Sequence, residues 1–277
     1  MNRTPVVLIH GAWFRRSSWD SWAQRFTAHG FAVHVPGWPG EGAPAADDRR
    51  GRDARRNLAL DALIAHYEVF VRSLGSRPVL IGHSLGGLVV QHLVGVGLGR
   101  AAVAVAPWPG GVVRPVDAAD VKAGLRMLVS DGAGGDEGFA QLTRSRFREA
   151  VANTVSEQEA ARLFERHIVP APLRLLAELG YVRDGDGPFR PARLTVDTAD
   201  TTRGPLLLIS GQEDRVVPDA VTRAVYKAYG DSSAVTDLKQ FADRGHSLVV
   251  DSGWRTVADH VLAWLAANGI EAGASDA

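Results

Sequence analysis

Short, uninterrupted apolar runs alternate along the chain with longer stretches in which apolar residues return every third or fourth position. Runs of the first kind fall at 6–10, 31–36, 79–81, 102–106 and 206–210, bounded by glycine, proline or charge, and the more polar stretch 235–241 ("VTDLKQF") is read with them as a sixth strand. Continuous apolar character is what a strand needs when both of its faces are covered. Stretches at 19–29, 54–74, 85–96, 220–229 and 255–267 carry the helical spacing. The alternation predicts βαβ units and an α/β fold with a mostly parallel sheet of about six strands, flanked by helices.

One interval breaks that rhythm. From Trp108 to Arg203 no strand-like run occurs, and helical spacing appears near 118–128, 138–150, 156–167 and 172–181. The expectation is a core built from residues 1–107 and 204–277, with residues 108–203 inserted as a helical cap. After Asn268 the chain turns small and polar ("GIEAGASDA"), which predicts a frayed tail over 269–277.

Composition narrows the chemistry. At 277 residues and 45% hydrophobic the chain buries a sizeable core, and 31 basic residues against 31 acidic ones leave no net charge to favour nucleic acid or an anionic membrane. The run "RRGRDARR" at 49–56 follows Asp47 and Asp48, opens a helical stretch and lacks interleaved aromatics, so it reads as a solvated face. With no cysteine, neither a disulfide framework nor a thiolate site can form. The opening apolar run is too short for a signal segment or a membrane span, so a cytoplasmic protein is expected. The nine histidines show no metal-ligand spacing, and neither metal nor cofactor is expected.

Candidate chemistry sits in "IGHSLGG" at 81–87. A serine between glycines, directly after a strand and before a helix, fits G-x-S-x-G over Gly82–Gly86: a sharp turn lifts the Ser84 hydroxyl above the sheet, and the helix that follows turns its N-terminal amides toward developing negative charge. A serine hydroxyl alone is a weak nucleophile, needing a base and a group that orients the base. Further on, "GQEDRVVP" places Asp214 after the strand at 206–210, with Glu213 and Asp219 as rivals, and "ADRGHSL" places His246 after the strand ending at Phe241.

With "HGAW" after the first strand, "GHSLGG" at the turn, "GQEDRVVP" and "RGHSL" in this order, the chain resembles the α/β-hydrolases over essentially its whole length. The resemblance implies Ser84 as nucleophile, His246 as general base and acid, and Asp214 as the carboxylate that orients the histidine. It also implies an oxyanion hole from the backbone N–H of Leu85 and of Ala12, or of Trp13 one residue on. His10 and His83 belong to the motifs as structural hydrogen-bonders.

Members of this fold that hydrolyse epoxides or haloalkanes use an aspartate where this chain has Ser84. Plant-type hydroxynitrile lyases carry threonine and lysine where it has Gly11 and Ser247, and carbon–carbon hydrolases carry tryptophan at the Ser247 position. The resemblance therefore points to cleavage of a carboxylic ester, lactone or thioester of a small apolar molecule through an acyl-Ser84 intermediate. Trp13 and Trp108 are the candidate substrate-binding side chains. Triad-dependent cyclisation, carbon–carbon bond hydrolysis or acyl transfer, and a non-catalytic small-molecule receptor, stand as alternatives.

Overall fold

In a computed structural model the chain is described at residues 3–41, 53–110, 112, 123–124, 126–128, 138–180, 194 and 196–273. In chain order the elements are β1 (Pro5–Ile9), a 3-10 turn (Arg16–Trp19), α1 (Asp20–Ala28), β2 (Ala32–His34), α2 (Leu60–Arg72), β3 (Val79–His83), α3 (Leu85–Gly95) and β4 (Ala101–Val105). There follow β5 (Phe139–Ala140), a short helical turn (Arg144–Arg146) that widens into a π-turn (Phe147–Val151), α4 (Glu157–His167), β6 (Ala171–Pro172) and α5 (Leu173–Glu178). The chain then returns to β7 (Leu206–Gly211), α6 (Asp219–Ala228), β8 (Thr236–Phe241) and α7 (Trp254–Ala267).

The six predicted strands pair in one sheet of order β2-β1-β3-β4-β7-β8, every pairing parallel. Successive strand residues point to opposite faces. Val6, Leu8, Val79, Ile81, Val103 and Ile209 pack with Trp22 and Phe26 of α1 and Val257 and Val261 of α7. Their neighbours Val7, Ile9, Leu80 and Leu208 pack on the other face with α2, α3 and α6. Both faces of the central strands β1, β3, β4 and β7 are covered, which is why these read as continuous apolar runs, whereas the edge strands β2 and β8 are only partly buried. α3 is buried nearly all round, from Leu85 to Val94, and runs through the middle of the second layer.

Several boundaries differ from the sequence expectation for physical reasons. The helix expected over 54–74 is interrupted at Leu58 and Ala59, and α2 begins at Leu60, whose N–H donates to Glu178 Oε2 at 2.7 Å; the cap of this helix comes from α5, far along the chain. The stretch expected as helix from 138 starts with β5, which pairs antiparallel with β6; helix begins only after Thr143, whose hydroxyl accepts from the Arg146 N–H. Residues 108–203 therefore hold a two-stranded ribbon as well as helices, separate from the main sheet. α4 starts as its sequence requires: Ser156 Oγ accepts from Glu159 N–H, a cap of the S-x-x-E kind. Most of the helix expected at 118–128 lies outside the described residues. At the C-terminus, fraying does not begin at 269. Ile270 is buried, and the Glu271 and Ala272 carbonyls accept from Thr4 Oγ1 and N–H at 2.7 and 3.1 Å; residues 274–277 lie outside the described set. Among the described residues no helix is long and apolar enough to cross a membrane.

Candidate active site

Ser84 occupies the hinge between β3 and α3 with φ 55° and ψ −115°, a conformation that costs a non-glycine residue about 1–3 kcal/mol. Three hydrogen bonds hold it there. Its N–H donates to Val105 O at 2.9 Å, and its carbonyl accepts from the N–H groups of Leu88 at 3.3 Å and Trp108 at 2.9 Å. The flanking glycines are dictated by close approach: a Cβ at Gly82 would run into the Gly86 carbonyl, and one at Gly86 into the Ile9 carbonyl.

His246 stands in the loop after β8, 3% exposed, and its Nδ1 lies 2.8 Å from Asp214 Oδ2. Asp214 sits in the turn after β7, where its Oδ1 accepts from the N–H groups of Val216 and Val217 at 2.8 and 2.9 Å. These two amides aim the carboxylate, so Oδ2 is left for the imidazole. The rivals are elsewhere. Glu213 is exposed, and Asp219 Oδ1 is taken by Ser210 Oγ and Gln240 Nε2. With Nδ1–H held by a carboxylate, Nε2 of the ring is the basic nitrogen, the form in which an imidazole can take a proton from a hydroxyl.

Leu85 is the first residue of α3, and the first N–H groups of a helix have no acceptor within it. Ala12 and Trp13 lie in the turn beyond β1, closed by a Phe14 N–H to Gly11 O bond of 3.4 Å, with Trp13 at φ 61°. Ala12, Trp13, Ser84, Leu85 and His246 line one cavity. Its remaining wall is apolar, with Trp108, Leu128, Leu142, Val151, Leu176 and Leu179 among the lining side chains. The enclosed volume is about 20 Å³, enough for about one water. All seven residues singled out from the sequence thus meet at this cavity except Asp214, which lies behind His246.

The loops that carry these residues are each tied to the 108–203 segment. Trp13 Nε1 donates to Ala140 O at 3.1 Å, and Trp13 O accepts from Val169 N–H at 2.8 Å. Asn153 Nδ2 donates to Glu213 O at 2.9 Å, and Ser247 N–H to Val151 O at 3.0 Å. Trp13 therefore touches the cavity with its ring while its indole N–H is spent on β5.

His83 and His10 support the site from behind. His83 Nε2–H donates to the His246 carbonyl at 2.9 Å with the two rings 4.6 Å apart; burial, then the neighbouring His246, hold the His83 pKa well below its usual value, so it stays neutral. His10 stacks on Trp38 and its Nε2 lies 2.9 Å from Glu41 Oε2. Glu41 also accepts from the Arg16 and Trp38 N–H groups at 2.8 and 3.0 Å. Burial works to raise the Glu41 pKa, but the His10 hydrogen bond and charge together with the two amides outweigh it and hold the value down to about 2. Glu41 and Asn153 escaped the sequence reading because their partners lie far away and no spacing announces them. Among the described residues no three His, Asp or Glu side chains converge in a way that could hold a metal ion.

Comparison with known proteins agrees with this architecture. The chain aligns structurally with polyneuridine aldehyde esterase at a TM-score of 0.68 and 15% identity, covering 95% of this chain and 99% of that one. A methylesterase from Arabidopsis aligns at 0.63 with 17% identity over 95% and 99%, and a monoacylglycerol lipase from Paleococcus ferrophilus at 0.63 with 19% over 97% and 100%. At these identities the likeness speaks for the fold alone. Residues 6–260 match the model of the alpha/beta hydrolase family, so the chain is a member of that family.

Proposed function

We propose that the protein is a serine esterase that cleaves a small, neutral, apolar carboxylic ester, with Ser84, His246 and Asp214 as its catalytic triad. The observation that carries this reading is the 2.8 Å Asp214–His246 bond set beside a strained Ser84 on one cavity. Ser84 Oγ adds to the ester carbonyl carbon as His246 Nε2 takes its proton, while Asp214 stabilises the imidazolium. The oxygen that becomes negative is received by the Leu85 N–H and by that of Ala12 or Trp13. Collapse breaks the bond to the alcohol, which leaves with the proton from His246. Water, deprotonated by the same ring, then releases the acid and restores Ser84.

Substrate class follows from the wall. Among the described residues no Lys or Arg lines the cavity, so none of them compensates a charged substrate for lost hydration. Trp13, Trp108 and the leucines favour apolar acyl or alcohol groups. In this reading residues 108–203 are a cap over the strand ends, and because the cavity holds only about one water, an ester enters as cap side chains move aside. That several structurally similar proteins are named esterases or a lipase accords with the reading.

The test is a p-nitrophenyl ester series with Ser84→Ala. Turnover should fall by several orders of magnitude, about 10⁶ by comparison with a subtilisin triad serine, with the fold intact by circular dichroism. A fluorophosphonate should add one label, at Ser84. Activity retained by Ser84→Ala, or labelling at another serine, would overturn the mechanism.

A further inference from the structure

A second cavity, of about 420 Å³, opens on another side of the molecule between α4, the junction of the 3-10 turn with α1, and the segment 249–254 that follows the His246 loop. We propose that this groove binds a small amphiphilic oxyanion, an organic carboxylate or phosphate whose head group is held by Arg162 and Arg166 and whose hydrocarbon part rests on Leu163, Val249 and Trp254.

The charge is the first observation. Arg162 and Arg166 stand one turn apart on α4, both line the groove, and neither has an acidic partner among the described residues. Like charges at this spacing repel, so an anion between them relieves a cost that the empty groove leaves standing. Two carboxylates also line the groove, and both are already engaged. Glu159 Oε1 accepts from the Ser252 N–H at 2.6 Å, and the fully buried Asp251 accepts from Ser247 Oγ and the Gly253 N–H at 3.0 and 2.9 Å. Asp20, in the first turn of α1, is exposed and does not line the groove.

Unused donors are the second and independent observation. Ser17, Ser18 and Ser21 line the groove, and among the described residues their hydroxyls make no hydrogen bond, so all three are free to donate to a ligand. His167 is 6% exposed, lines the same groove, and its Nδ1 has no partner. Burial, then the charges of Arg166 and Arg15, hold the His167 pKa down to about 4, so the ring is neutral and carries one N–H that can donate. Buried polar groups without partners are uncommon in folded proteins and call for an explanation. A ligand oxygen that accepts from the His167 ring N–H and from the two guanidinium groups supplies one, and the apolar side chains of Leu163, Val249 and Trp254 in the same groove explain why a bare inorganic ion would leave part of it unused.

The test uses hexyl phosphate and inorganic phosphate, titrated calorimetrically into the intact protein and into an Arg162→Gln/Arg166→Gln variant. Both arginines are exposed and unpartnered, so the variant folds. Hexyl phosphate should bind one per chain with a Kd of about 1 mM or tighter, inorganic phosphate at least tenfold more weakly, and the variant should lose at least tenfold for hexyl phosphate, the loss expected for one charge-assisted hydrogen bond. Hexyl phosphate should also move the His167 ring resonances. The inference fails if hexyl phosphate shows no saturable binding, if the double variant binds it as well as the parent, or if binding leaves His167 unmoved. None of these readings requires turnover, so the outcome is independent of the proposed esterase mechanism.

Discussion

Asp214→Asn separates the proposed triad from every arrangement in which Asp214 merely braces its turn. In the folded chain the carboxylate accepts three hydrogen bonds, from Val216 N–H, Val217 N–H and His246 Nδ1. An asparagine has one oxygen. If that oxygen keeps the two backbone amides, the NH₂ group faces Nδ1, and the imidazole can meet it only by moving its own proton to Nε2. The nitrogen that should take the Ser84 proton is then a donor. The corresponding change in a serine protease costs about 10⁴ in turnover, equivalent to about 5.5 kcal/mol of barrier. Folding should suffer less: replacing one charge-assisted bond costs about 1–3 kcal/mol, a fall in melting temperature of a few degrees for a chain of this size. Hydrolysis of p-nitrophenyl butyrate and thermal denaturation, measured on the same preparation, separate the two effects. Glu213→Gln is the control, because that side chain is exposed and makes no contact with the ring; it should stay within about threefold of the parent. An Asp214→Asn variant within tenfold of the parent, or a Glu213→Gln variant that is the more damaged of the two, would refute the assignment.

Other consequences are as direct. Leu179 lines the cavity and Leu175 does not, though both are buried; Leu179→Ala should shift the ester chain-length optimum upward, whereas Leu175→Ala should cost about 2–5 kcal/mol in urea unfolding and leave the optimum where it was. The Glu41 pKa is depressed on folding, so its contribution is present above its ordinary value of 4.5 and is lost as pH falls toward about 2. Glu41→Gln should therefore destabilise the protein by about 2–3 kcal/mol at pH 7 and progressively less below pH 4.5, read from urea midpoints across that range. Gly86→Ala gains about 1 kcal/mol of helix propensity but drives a methyl into the Ile9 carbonyl, so it should lower both stability and esterase activity.

The middle of the sheet was legible in the sequence because β1, β3, β4 and β7 are covered on both faces, so each is a continuous apolar run that punctuation residues delimit. The turn around Ser84 was legible for a different reason: its geometry forces glycine at two near positions, and a local constraint leaves a local pattern. What escaped has its cause far along the chain. Nothing near Leu60 indicates that Glu178 will cap its helix, and the two-residue strands β5 and β6 are too short to carry a period. Helical spacing in 172–181 placed apolar residues on α5 without telling Leu175 from Leu176, since only the packed partner decides which one meets the cavity. Glu41 reached the site by tertiary placement alone.

The bonds from Trp13, Glu213 and Ser247 to Ala140, Val169, Asn153 and Val151 have a consequence for how such a protein can change over evolutionary time. An insert joined to its host only at its two ends could be traded whole between relatives by recombination. Here a foreign segment spliced in at 108 and 203 would leave an indole N–H, an amide N–H and two carbonyls on three loops without their partners. Diversification is thereby channelled into point changes on the cavity-facing side of the 108–203 segment, at positions such as Leu142, Leu176 and Leu179, where a new side chain alters the cavity and leaves the bonded seam untouched.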